Sequence, residues 1–182
     1  EISTISKERL EEICDLRQPM MFDYDIQKLK NITIENILHN YNSFDIKIRN
    51  ILNTYLESEV ESEIFLPISL QNGLKLLEED QNSKFISENN SDFLEETSII
   101  KIFQSNDEFL RPYMMSSYEY DYILGSKGSI TPMRYLKNYR NYFILLSGSV
   151  KVKLTPPKSS KYLYPQYDYD NFEFRSLINP WN

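Results

Sequence analysis

The chain has no alanine, one cysteine, one histidine, one tryptophan and four glycines among 182 residues. Each shortage removes a class of explanation. A lone thiol, Cys14, cannot form an intrachain disulfide, which fits a reducing, intracellular (cytoplasmic) setting. It lies beside Ile13 and four residues after Leu10, so it reads as a structural thiol on an apolar helix face rather than a nucleophile. With one His and one Cys, both N-terminal and without a local signature, a hydrolase built on a base-activated nucleophile is not expected. His39 reads as a surface residue. No apolar run approaches the ~20 residues of a membrane span. The stretch Glu1 to Arg9 is charged and lacks the apolar core of a secretory signal. Phosphate loops of the Gly-x-x-x-x-Gly-Lys type are absent, as are calcium loops with acids at alternate positions.

A basic face is also missing. The net charge is -7 and the sequence pI about 4.9. No long Lys/Arg block interrupts this, so neither nucleic acid nor anionic lipid is an expected partner. The acidic stretches Glu57 to Glu63 and Glu88 to Glu96 read as solvated faces.

What is present is an ordinary globular balance, 41% hydrophobic and 26% charged, with 14 Tyr and 10 Phe. The length suits one domain. Ser6 caps an expected helix over Lys7 to Arg17, with Pro19 beyond its end. Thr33 caps a second helix carrying Ile34, Ile37, Leu38 and Tyr41. Phe44, Ile46 and Ile48 then alternate with Asp45, Lys47 and Arg49, which is strand periodicity. Ser69 opens a third helix through Leu70, Leu74 and Leu77, in which Gly73 costs roughly 1 kcal/mol relative to Ala. A short helix follows Ser91. From Glu119 onward strands are expected: Tyr120 to Leu124, a turn at Gly125 to Gly128, and a hairpin of Asn141 to Leu146 and Val150 to Leu154 about Ser147-Gly148. Pro156-Pro157 ends the second arm. Phe172 and Phe174 mark a last extended segment.

Residues 125 to 136 read Gly-Ser-Lys-Gly-Ser-Ile-Thr-Pro-Met-Arg-Tyr-Leu. This resembles the iron-binding strand of Jumonji-C and cupin-like oxygenases, in which a Gly-rich turn leads to Thr-Pro-apolar-His-x-Asp. Asn141 to Gly148, the strand ending at Pro156-Pro157, Leu163-Tyr164-Pro165, Asn179-Pro180-Trp181 and the early Arg17-Gln18-Pro19 resemble further family segments in the same order. The resemblance implies an α+β fold: a cupin-like double-stranded β-helix, or jelly roll, complete or incomplete, with N-terminal helices packed on it. It implies a single domain over 1–182, helix-rich over 1–118 and β-rich over 119–182. The family's chemistry uses iron(II), held by two His and a carboxylate, with 2-oxoglutarate.

The ligand positions depart from that pattern. Anchored on Thr131-Pro132, the first His becomes Arg134 and the carboxylate Leu136. Anchored on Asn141, the positions become Tyr135 and Lys137. A guanidinium has no lone pair for a metal, and Leu has no donor atom. The family's basic residue for the oxoglutarate carboxylate falls on Val150, beside Lys151 and Lys153, and its last His would lie beyond residue 182. The expectation is therefore a degenerate member: no metal, no cofactor and no catalytic residues, in a module with a structural or protein-interaction role. The missing alanine, with abundant Asn, Ile, Lys and Tyr, resembles coding by a very AT-rich genome, as in many large DNA viruses and some protists; the partner expected for such a degenerate module is a protein, in a larger assembly such as a large DNA virus particle. Arg134, Tyr135, Lys137 and Arg140 form the candidate contact strip for an anion or an acidic partner. Two alternatives stand beside this: a diverged or truncated oxygenase, and a small-anion binder. Asp168, Asp170 and Glu173, and likewise Asp121, sit among aromatic residues and read as parts of half-exposed strands or loops rather than a carboxylate pair.

Overall fold

The computed structural model describes residues 5–24, 29, 32–51, 64–136, 138–169 and 173–181. The fold is α+β. Helices α1 (Lys7–Asp15), α2 (Ile34–Tyr41) and α3 (Leu70–Glu79) are followed by shorter α4 (Ser91–Glu96), α5 (Ile100–Gln104) and α6 (Asp107–Leu110). Strands β1 (Asp45–Asn50), β2 (Leu66–Ser69), β3 (Phe85–Ser87) and β4 (Leu124–Gly125) form an antiparallel sheet in the order β2-β1-β3-β4. A second antiparallel pair joins β5 (Pro165–Asp168) to β6 (Glu173–Ser176).

The first two helices start where side chains supply the missing acceptors. Ser6 Oγ accepts from the Arg9 amide, and Thr33 Oγ1 from the Asn36 amide. The alternation of β1 places Ile46 and Ile48 in the core, where α3 packs on them. Gly73 permits that approach: a Cβ there would lie 2.6 Å from Ile46 Cδ1. Leu29, Ile32, Ile37, Leu70, Leu77, Phe93, Leu94, Ile99 and Tyr122 complete the buried cluster. Burial raises the Tyr122 phenol to about 12.

Polar side chains organise the loops beside this core. Asn90 Oδ1 accepts from the Lys47 amide, and Nδ2 donates to Ser87 Oγ and the Tyr122 carbonyl. The Asp121 carboxylate accepts from the amides of Asn89, Asn90 and Tyr122, so this acid organises the loop. Asp80 accepts from three amides and Ser126 Oγ. Burial raises its carboxyl, but these hydrogen bonds outweigh it and bring it down to about 2.

The second half departs from the expected strands. Of Tyr120 to Leu124, only Leu124 is in a strand, the two-residue β4. The segment Asn141 to Thr155 forms no ladder with described residues, so the expected hairpin is not there. Alternation makes a strand possible; a ladder also needs a partner edge. Gly148 does turn the chain, at φ +81. After Pro156, a 3₁₀ helix runs from Pro157 to Tyr162. Residues 133–135 lie along β6: Ser176 N–H donates to the Met133 carbonyl and Tyr135 N–H to the Phe174 carbonyl.

Candidate functional site

The strip expected at Arg134, Tyr135, Lys137 and Arg140 does not converge on one site. Arg134 leaves the 133–135 segment toward the larger sheet. Its Nη1 donates to Glu88 Oε2 at 2.6 Å and its Nη2 to Glu88 Oε1 at 2.9 Å. Glu88 follows β3 and is buried, and its Oε1 also pairs with Arg49 of β1, itself buried. Arg49 lies 5.2 Å from the Phe65 ring centroid. The result is an Arg-Glu-Arg cluster that ties the smaller sheet to the larger one.

One reading of the sequence needs correcting here. Arg49, a charged residue of the alternating strand, is buried. Glu88 opens a stretch expected to be solvated, yet it is the buried centre of this cluster; Asp92, Glu95 and Glu96 of that stretch are exposed as expected. Buried charges persist only when paired, and the partner lies 39 positions away along the chain, beyond any local pattern.

Arg140 is engaged elsewhere. It donates through Nη1 and Nη2 to the two oxygens of Glu11 on α1, both at 3.0 Å. Lys7 reaches Glu11 at 2.9 Å and donates to the Phe109 carbonyl. Burial works against ionisation of Glu11, but the hydrogen bonds and charges of Arg140 and Lys7 prevail and hold its carboxyl below the ordinary value. Tyr142 donates to the Leu110 carbonyl, and burial pushes its phenol up to about 12. Tyr135 is exposed, and Lys137 lies outside the described residues.

The iron-site positions can be tested directly. Arg134 is bound to a carboxylate, Leu136 has no donor, and Tyr135 points to solvent. These residues do not fit iron. Among the described residues, no three His, Cys, Asp or Glu side chains converge as metal ligands. His39 is exposed in the last turn of α2, and Cys14 is half-buried on α1. Asp168 and Glu173 are register partners on β5 and β6, while Asp170 lies outside the described residues. Lys153 lies 4.4 Å from the Trp181 ring centroid and reaches the Pro180 carbonyl.

Two features remain as surfaces. One is the segment Asn141 to Thr155, in which Phe143, Ile144, Leu145, Val150, Val152 and Leu154 are exposed while Leu146 packs against the core. The other is a cleft of about 390 Å³ beside β2, bordered by Asp45, Lys47, Pro67, Asp92 and Glu96. No described helix is long and apolar enough to cross a membrane. No protein-family model, curated protein or solved structure matches the chain.

Proposed function

We propose that the chain is a non-catalytic cupin-like module of the Jumonji-C type, with a structural or protein-interaction role inside the cell, in a larger assembly such as a large DNA virus particle. The observation that carries this reading is the Arg134–Glu88 contact. The position that the family resemblance reserves for the first iron ligand holds a guanidinium already bound by both oxygens of a buried carboxylate. The jelly roll belongs to the same proposal: a barrel would give Asn141 to Leu146 and Val150 to Leu154 the strand partners they lack among the described residues. The exposed apolar side chains of that segment support an interaction role, since large apolar patches on a protein surface mark contact sites. The oxygenase and anion-binder alternatives draw less support, because Arg134 and Arg140 each carry a carboxylate partner. Elemental analysis of the purified chain after exposure to iron(II), with an assay for 2-oxoglutarate consumption under oxygen, tests the reading. The expected result is no stoichiometric iron and no turnover. One iron per chain with turnover overturns it.

A further inference from the structure

We propose that the chain docks on an anionic lipid bilayer through residues 143–161, with exposed apolar side chains entering the interface and lysines meeting the headgroups. This rests on the structural role proposed above and names the surface that such a role uses.

The whole-chain charge of -7 argues against an anionic partner, but it hides a division. Residues 122–167 hold eight of the 20 Lys and Arg and none of the 27 Asp and Glu. Two of the eight are neutralised inside the protein, Arg134 by Glu88 and Arg140 by Glu11. Lys153 is engaged by the Pro180 carbonyl and the Trp181 ring. Lys151, Lys158 and Lys161 are exposed, and none of them makes an ion pair with a described residue. Lys161 lies 4.9 Å from the Tyr162 ring centroid, a contact that leaves its charge unneutralised.

The apolar part of the surface lies on the same stretch. Phe143, Ile144, Leu145, Val150, Val152 and Leu154 are all exposed. The first three are consecutive, so this stretch does not turn one apolar face inward and hide it. Nor is it a loose tail. Tyr142 donates to the Leu110 carbonyl, Leu146 packs against the core, and Lys153 is held at 180–181. The protein thus fixes the stretch at three points and leaves the apolar side chains between them uncovered.

A bilayer accounts for this combination better than a protein partner does. Protein interfaces enrich Arg and deplete Lys. Here both arginines of residues 122–167 already have carboxylates, and the cations left exposed beside the apolar stretch are lysines. Lysine stems lie along apolar surface while the ammonium stays at the headgroups. Reversible docking of this kind takes apolar burial and headgroup attraction together. Charges more than about 8 Å from the headgroups are largely screened at physiological salt, so remote carboxylates do not cancel lysines that touch the surface.

Co-sedimentation of the full chain with vesicles of phosphatidylcholine, with and without phosphatidylserine, at low and high salt tests this. The expected result is binding that needs phosphatidylserine and weakens with salt. K151A/K158A/K161A lowers the partition coefficient about a hundredfold, at roughly fivefold for each lysine near an anionic surface. F143S/L145S lowers it at both salt concentrations. The replaced side chains are exposed, so both variants melt with the parent. Phe143→Cys in a Cys14→Ser background, labelled with an environment-sensitive dye, shifts to the blue on the anionic vesicles. No binding, equal binding to both vesicles, variants that bind like the parent, or a bound chain whose dye stays in water overturns the inference. Retention on immobilised polyglutamate without vesicle binding makes the surface a protein contact and overturns it too. A chain that ignores vesicles and also lacks iron and turnover loses only lipid docking, and the non-catalytic reading stands.

Discussion

Arg134 and Glu88 meet side-on, two nitrogens to two oxygens, across the boundary between the two sheets. Glu88 also pairs with Arg49, so one buried carboxylate serves two guanidinium groups. Such a cluster need not be worth more than a well-packed apolar one, but breaking it is costly, because the remaining charge stays buried.

That asymmetry makes a prediction. Glu88→Ala leaves Arg49 buried without its carboxylate and costs about 3–5 kcal/mol. Arg134→Ala leaves the Glu88–Arg49 pair intact and costs roughly 1.5–3 kcal/mol, the range for hydrogen bonds to charged groups. Urea unfolding midpoints for the two variants, measured beside the parent, give the order. Equal losses would contradict the shared-carboxylate geometry.

Glu11 makes stability pH-dependent. Its folded carboxyl sits below the ordinary value near 4.5, because Arg140 and Lys7 outweigh the burial that raises it. A depressed folded value means that the stabilisation is complete above the unfolded value and is lost as pH falls through the folded one. Thermal melts of the parent should therefore fall from pH 5 downward. Glu11→Gln should flatten part of that fall, and Arg140→Met should do so through the same pair. A double-mutant cycle at neutral pH should show a coupling of about 1 kcal/mol or more.

Gly73 inverts the usual rule for helices. Replacing a helix glycine with alanine ordinarily gains roughly 1 kcal/mol. Here the new methyl would meet Ile46 Cδ1 at 2.6 Å and Ile48 Cδ1 at 3.2 Å, and Ile46 is fully buried. Gly73→Ala is therefore expected to destabilise by about 1–3 kcal/mol, the cost of overpacking. Gly73→Ala with Ile46→Val should recover part of the loss, as calorimetry would read.

The helices were legible because their signals are local. Ser6 and Thr33 bond amides three residues on, and the apolar faces repeat within a turn. β1 was legible for the same reason, since Ile46 and Ile48 alternate with polar neighbours. Strands β2 and β3 were not: at four and three residues they are too short to show a period, and β2 contains Pro67. They are strands because β1 lies between them.

Sequence alone determined the α+β class, the capped helices, the turn at Gly148 and the lack of iron-ligand chemistry at Arg134 and Leu136, because each depends on residue type or on neighbours within a few positions. Tertiary structure decided that Arg49 and Glu88 are buried partners, that Arg134 and Arg140 serve different carboxylates, and that Val150 to Leu154 pairs with no described strand. Those outcomes depend on which distant segments share a low-dielectric interior or a sheet edge, and no spacing along the chain encodes that.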